Sequence, residues 1–394
     1  MPDVVESRPI ATVLPIPAEG SAPACKQQGA IRFIAQSIRQ VYSAAEWLFG
    51  VVTVIFGLAV LATLPVVQFL SLGYLLETSG RIARSGRLRD GFIGVRRAAR
   101  VGSIVLGTWL VLLPLRLVAS LAHSARIVDP DGEVARRWNV ALLILTGLAA
   151  VHVAAAVSRG GRLRYFFWPF NPIWFLRRIR RGNYYAEARD AVWDFVTALR
   201  LPDYFWLGLR GFAGAMAWLL LPVTLLAIGS RAPVFALLGT LLLLLVLLYL
   251  PFFQAHFAAE NRFRAFVELG AIRSLFKRAP WAFALAFAVT LLFALPLYLL
   301  KIEMIPREAA WLPSLVFITF TLPARLLTGW ALGRARHSAE PRHWFFRWTG
   351  RISMLPVVGL YIVILFLMQY AAWEGVWSLY AQHAFLLPVP FLSM

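Results

Sequence analysis

His256 and Glu260 stand four residues apart in an apolar stretch, a spacing that sets both side chains on one face of a helix. Two metal ligands or an acid–base pair would use that arrangement. A hydrogen-bonded pair at the headgroup boundary of a membrane uses it equally well, and this plainer reading carries more weight because no nucleophile or third ligand accompanies the two. Gln68 and Gln254 join them at the ends of apolar segments, while Arg116, His152 and Arg325 lie inside others. Ionisable groups within a bilayer are costly, which makes them candidates for function by default. Arg325, like Arg210, can snorkel toward the nearer interface. His152, alone among alanines, reads as a helix–helix contact rather than a proton relay. These seven positions (Gln68, Arg116, His152, Gln254, His256, Glu260 and Arg325) are the candidate functional residues, and none carries a catalytic, cofactor-binding or metal assignment.

Familiar chemistries lack their residues. The chain has no P-loop, no Gly-x-Ser-x-Gly turn, no His-Glu-x-x-His and no dinucleotide fingerprint. His337, Glu340 and His343 share one loop without helical spacing and read as solvated polar groups. Cys25 is the only cysteine, which excludes an internal disulfide and any multi-cysteine metal centre. No central apolar segment carries Asp or Glu, which weighs against ion-coupled transport. The expectation is a non-enzyme without a cofactor.

The elements that must position these residues are apolar helices. Hydrophobic residues make up 60% of the 394 and charged residues 15%, outside the ranges of soluble domains. The apolar residues come in blocks such as 236–253, and a bilayer core takes about 20 apolar residues per helix. The pattern predicts an all-α polytopic membrane protein with eight segments, near 47–76, 101–122, 139–158, 206–229, 232–258, 280–300, 309–332 and 353–373. Residues 1–28, rich in proline, read as a disordered tail, and 29–46 as a basic amphipathic helix lying in the interface. A first membrane unit covers 47–230, a second 231–373, and an apolar tail 374–394.

The net charge of +20 is explained by orientation rather than by nucleic acid. Only Lys26, Lys277 and Lys301 are lysines; the other basic residues are arginines, a bias that suggests a bacterium with a GC-rich genome. Loops after odd-numbered segments hold 26 basic residues and loops after even-numbered ones hold six. The positive-inside rule places the first set in the cytoplasm of a cell with an inner membrane. Four hairpins opening to the cytoplasm result. Eight full spans would then leave the N-terminal tail outside although its amphipathic helix is basic, and a break at Pro65, making a re-entrant pair of the first segment, would bring the tail back inside.

Two internal echoes suggest a 4+4 parallel repeat. Leu64-Pro65-Val66-Val67-Gln68 recurs as Leu250-Pro251-Phe252-Phe253-Gln254, and Leu112-Leu113-Pro114-Leu115 as Ala294-Leu295-Pro296-Leu297. Prolines at 65, 114, 222, 251, 296, 323 and 356 remove backbone donors within spans, as the broken helices of transporters do. The plainer reading, which carries more weight, is that proline is simply commoner in membrane helices than in soluble ones. In the long loop 159–202, Phe166, Phe167, Trp168 and Phe170 precede Arg177, Arg178, Arg180 and Arg181. Aromatic residues beside arginines suit anionic headgroups.

Trp47, Pro65, Gln68, Gly73-Tyr74, Glu77 and the basic run from Arg81 to Arg89 resemble the opening unit of an uncharacterised family of bacterial and archaeal multi-pass membrane proteins, a domain of unknown function. The likeness covers the first hairpin only. It implies architecture and no activity, and the third hairpin departs from it at Ala259-Glu260, near the place of the Gly-Tyr. The function expected from the whole sequence is non-enzymatic organisation of lipid or partner proteins, including other copies of the chain, through the basic loops. The alternative is a channel or uncoupled transporter built on the proline-broken helices.

Overall fold

The computed structural model describes residues 24–180, 182, 184–229, 232–294 and 311–371. The expected tails at 1–28 and 374–394 lie largely or wholly outside these. The chain divides into two units, residues 1–48 and 49–394. In the first, the described residues are helical, with Ile38, Val41 and Tyr42 exposed. They belong to helix α1 (Ala24–Thr63), so the basic stretch at 29–46 runs without a break into the apolar one that follows.

Within the second unit, α1 stops at Thr63 because Pro65 offers no amide hydrogen and disfavours helical backbone at Leu64. Val66 takes φ +69°, rare for a β-branched residue, and the chain turns back into α2 (Gln68–Ser85). Ser71 Oγ donates to the Leu58 carbonyl at 2.8 Å, and Leu58, Ala59 and Leu75 share a buried cluster with Phe317, Ile318 and Leu322. The single segment at 47–76 gives way to the alternative of a break at Pro65, with two helices folded back on each other. Thr78 and Ser79 make α2 too polar to register as a hydropathy peak of its own.

Gly86, at φ +72°, ends α2 with its N–H bonded to the Ile82 carbonyl. A 3₁₀ turn (Leu88–Gly91) leads to α3 (Val95–Val128), which packs on α4 (Glu133–Ser158). The long basic loop contains three further helices: α5 (Leu163–Phe166), α6 (Asn171–Arg180) and α7 (Tyr184–Ala198). Next come α8 (Leu201–Ile228) and α9 (Pro233–Glu260), the latter closed by Asn261 in left-handed conformation. A second 3₁₀ turn (Phe263–Val267) precedes α10 (Leu269–Arg278) and α11 (Pro280–Leu292), which meet at a bend of 111°. Helices α12 (Trp311–Arg336) and α13 (Trp344–Ala371) complete the described fold, in which there is no strand.

Six helices are long and apolar enough to cross a membrane, and the α10–α11 pair makes a seventh if counted as one bent span. Large apolar side chains stand exposed along them, among them Leu117, Leu143, Val234 and Leu237. Helix α2 is the opposite case. At 18 residues it is about 27 Å long, and α8, α9 and α12 pack against it. Gln68, Ser71, Thr78 and Ser79 are all buried there. Enclosure by protein is what lets a helix this polar sit among apolar ones.

Two expectations about proline change. Pro114, Pro222, Pro251, Pro323 and Pro356 lie inside continuous helices, so of the seven prolines singled out only Pro65 is seen at a break, Pro296 lying outside the described residues. Pro280, not among the seven, stands at the bend between α10 and α11. The two proline echoes also differ in backbone: Pro65 is in a turn, Pro251 inside α9.

Candidate binding site at the arginine-rich end

The basic segments meet at one end of the second unit. Arg84 Nη1 donates to the carbonyls of Ala258 and Ala259 at 2.9 and 3.1 Å, tying the end of α2 to the end of α9. Arg97 reaches the Ala198 carbonyl, Arg210 reaches Asn261 Oδ1, and the Arg342 amide donates to the Lys277 carbonyl. The bonds to Ala258, Ala259, Ala198 and Lys277 supply donors to carbonyls at helix ends that would otherwise lack them, while Arg210 meets the side chain of the residue that caps α9. Arginine at a helix C-terminus also meets the negative end of the helix dipole.

His256 and Glu260 do share a face of α9, and their partners come from elsewhere. His256, 5% exposed, has Nε2 3.0 Å from Glu268 Oε2 and Nδ1 3.1 Å from Arg336 Nη2. Arg336 Nη2 also donates to Glu260 Oε1 at 2.8 Å. Arginine can only donate, so Nδ1 accepts and Nε2 carries the proton that goes to Glu268. With both ring nitrogens engaged, His256 offers no lone pair to a metal. The hydrogen bond from His256 holds the Glu268 carboxyl below its ordinary value, with Arg262 and Arg264 adding to the effect. Arg336 and Glu268 escaped notice because neither is near the histidine in sequence, and no local signal marks them.

Beside this cluster lies a polar cleft of about 650 Å³ between α2, α8 and α9. Its wall carries Arg84, Arg200 and Arg210 against Glu77 and Asp203, with Tyr204 and Trp206. Glu77 Oε1 accepts from Arg81 at 2.8 Å and from Arg84 at 3.0 Å, and Arg200 pairs with Asp203 at 2.7 Å. The Glu77, Arg81 and Arg84 spacing was the one legible sign of this cleft, since i, i+4 and i+7 share a helix face.

Deeper in the bundle, Arg325 Nη1 donates to Gln254 Oε1 at 2.6 Å. Arg325 is 4% exposed and Gln254 fully buried, so Arg325 does not snorkel. Among the described residues its Nη2 has no hydrogen-bond partner, nor do the buried hydroxyls of Thr78, Ser314 and Thr321. The remaining candidates are not part of these groups. Gln68 opens α2 and is nearly buried. His152 Nε2 lies 2.9 Å from the Phe166 carbonyl, docking α5 on α4, which is the helix contact expected of it. Arg116 is exposed on α3 without a polar partner among the described residues. A node not foreseen is Arg159, whose guanidinium lies 4.9 Å from the Tyr165 ring and 5.2 Å from the Trp174 ring while bonding Asn171 Oδ1 at 2.7 Å. Comparison with family models, with curated proteins and with solved structures found no match for this chain.

Proposed function

We propose that this chain is a multi-pass protein of a bacterial inner membrane that organises anionic lipid at its arginine-rich, cytoplasmic end, without enzymatic activity. The observation that carries the reading is the meeting of the basic segments at one end, flanked by exposed Phe167, Trp168, Phe170, Trp344, Phe345 and Trp348. Amphipathic aromatic rings favour the headgroup level, and each basic residue near an anionic surface contributes about 1 kcal/mol. The 26-to-6 asymmetry of basic residues supports an inside location for that end. Gly50, early in the second unit's share of α1, abuts Val95 at the start of α3, so the chain enters that unit near the basic end. In this reading α1 and α2 are the first pair of helices.

Lipid analysis of the purified protein tests this. Phosphatidylglycerol and cardiolipin should be retained in excess over phosphatidylethanolamine, and combined Arg177→Gln, Arg178→Gln and Arg180→Gln should reduce the excess. Retention in the proportions of the host membrane would overturn the reading. Sidedness is tested in a Cys25→Ser background: a cysteine at Ser338 should resist an impermeant maleimide in intact cells, and one at Asp131 should react. The reverse pattern would invert the orientation.

A further inference from the structure

A second cavity, of about 350 Å³, lies between α9, α10, α11 and α13. That volume is within the range of small-ligand pockets. Its lining is almost wholly apolar: Tyr249, Phe252, Phe276, Phe283, Met354 and Leu355 are the principal walls. Phe252 and Phe283 are buried and stack with centroids 4.3 Å apart, whereas Leu355 and the neighbouring Ile352 and Trp348 are exposed. One side is therefore rigid aromatic core, and the other opens outward along α13.

Two arginines complete the lining. Arg273 Nε donates to Tyr249 Oη at 3.2 Å, with its guanidinium 5.9 Å from the Tyr249 ring. The Arg351 guanidinium lies 5.6 Å from the Phe276 ring. Neither pairs with a carboxylate among the described residues. Aromatic faces orient both cations without neutralising them, which leaves guanidinium donors for an anion with several acceptor oxygens. Apolar walls with uncompensated cations match an amphiphile with a hydrocarbon tail and an anionic head.

We propose that this slot is a defined site for one anionic phospholipid, its phosphate held by Arg273 and Arg351 and an acyl chain lying against Phe252, Met354 and Leu355. The assignment rests on the lipid-binding reading above and narrows it to one place and one stoichiometry. Charge complementarity selects the occupant: a zwitterionic lipid or a detergent would leave the excess positive charge unanswered.

Native mass spectrometry of the delipidated protein titrated with phosphatidylglycerol tests the proposal. One molecule should bind more tightly than the rest. Combined Arg273→Gln and Arg351→Gln should weaken that binding about thirtyfold, two basic contacts having been removed. Leu355→Trp, which keeps both arginines and fills the slot from its open side, should weaken it as well, and Arg273→Lys with Arg351→Lys should restore part of it. Melting temperatures near that of the parent would show that the variants are folded. Unchanged tight binding in either the glutamine or the tryptophan variant would overturn the site, as would displacement of the lipid by millimolar inorganic phosphate. If anionic lipids are still preferred while slot variants bind normally, the slot assignment fails and the broader reading stands. If no anionic preference exists at all, both fail.

Discussion

Replacing Gln254 by leucine should destabilise the bundle more than the loss of an ordinary interhelical hydrogen bond. A neutral bond between membrane helices is worth about 0.6 kcal/mol on average, because the unfolded helices find other partners. The bond removed here is charge-assisted and short, 2.6 Å from Arg325 Nη1. It also reaches a guanidinium that is 4% exposed and has one nitrogen without a hydrogen-bond partner among the described residues. Hydrogen bonds to charged groups contribute roughly 1.5–3 kcal/mol, and stranding a buried charge adds to the loss. Gln254→Leu should therefore cost about 3 kcal/mol. Arg325→Met, which removes the charge and keeps an unbranched chain, should cost less than about 1.5 kcal/mol. The double variant should be no worse than Gln254→Leu alone and should recover most of its loss, since apolar replacements of buried ionic groups are often neutral or better. Denaturation by SDS in mixed micelles, followed by tryptophan fluorescence, measures all four proteins. Additive losses in the double variant, with no coupling above about 0.5 kcal/mol, would refute the claim that the two side chains answer each other.

Three further outcomes are expected. A β-carbon on Gly208 would lie 1.9 Å from the Phe69 carbonyl oxygen, so Gly208→Ala should force α8 from α2 and cost about 2 kcal/mol, while Gly57→Ala, with open space around it, should be neutral or slightly stabilising in the same titration. Ser71→Ala removes the bond to the Leu58 carbonyl and should cost about 1 kcal/mol, read by the same assay. Glu268 has its pKa lowered in the fold, so its contribution is present above the unfolded carboxyl value and is lost as pH falls through the lower folded value. Melting temperature measured from pH 6 down to 3 should accordingly fall less steeply below about pH 4.5 in His256→Leu than in the parent. Equal slopes would show that the pair contributes nothing to acid sensitivity.

Hydropathy made most of the helices visible, because a lipid-facing helix must be apolar along most of its length. The same criterion hid α2, whose Thr78 and Ser79 are acceptable only because α8, α9 and α12 enclose them. At the candidate site, the four-residue spacing of His256 and Glu260 marked a shared face but could not disclose Arg336, which arrives from another helix. Arg325 and Gln254 drew attention separately as polar residues in apolar blocks, and only packing of α12 on α9 joined them. Most of the prolines behave as the plainer reading of them has it: a helix packed among others tolerates a missing donor that an isolated one would not, so five helices pass through theirs unbroken.

The enclosure of α2 has a consequence for how the chain is made. Its neighbours begin at Leu201, Pro233 and Trp311, long after the ribosome has released Gln68–Ser85. Until they emerge, a segment bearing Thr78, Ser79 and Glu77 has only α1 beside it and little reason to leave the translocon or the interface for lipid. Insertion in this part of the protein must then be completed late, so nascent chains truncated before Trp311 should keep α2 accessible to protease, and full-length chains should not.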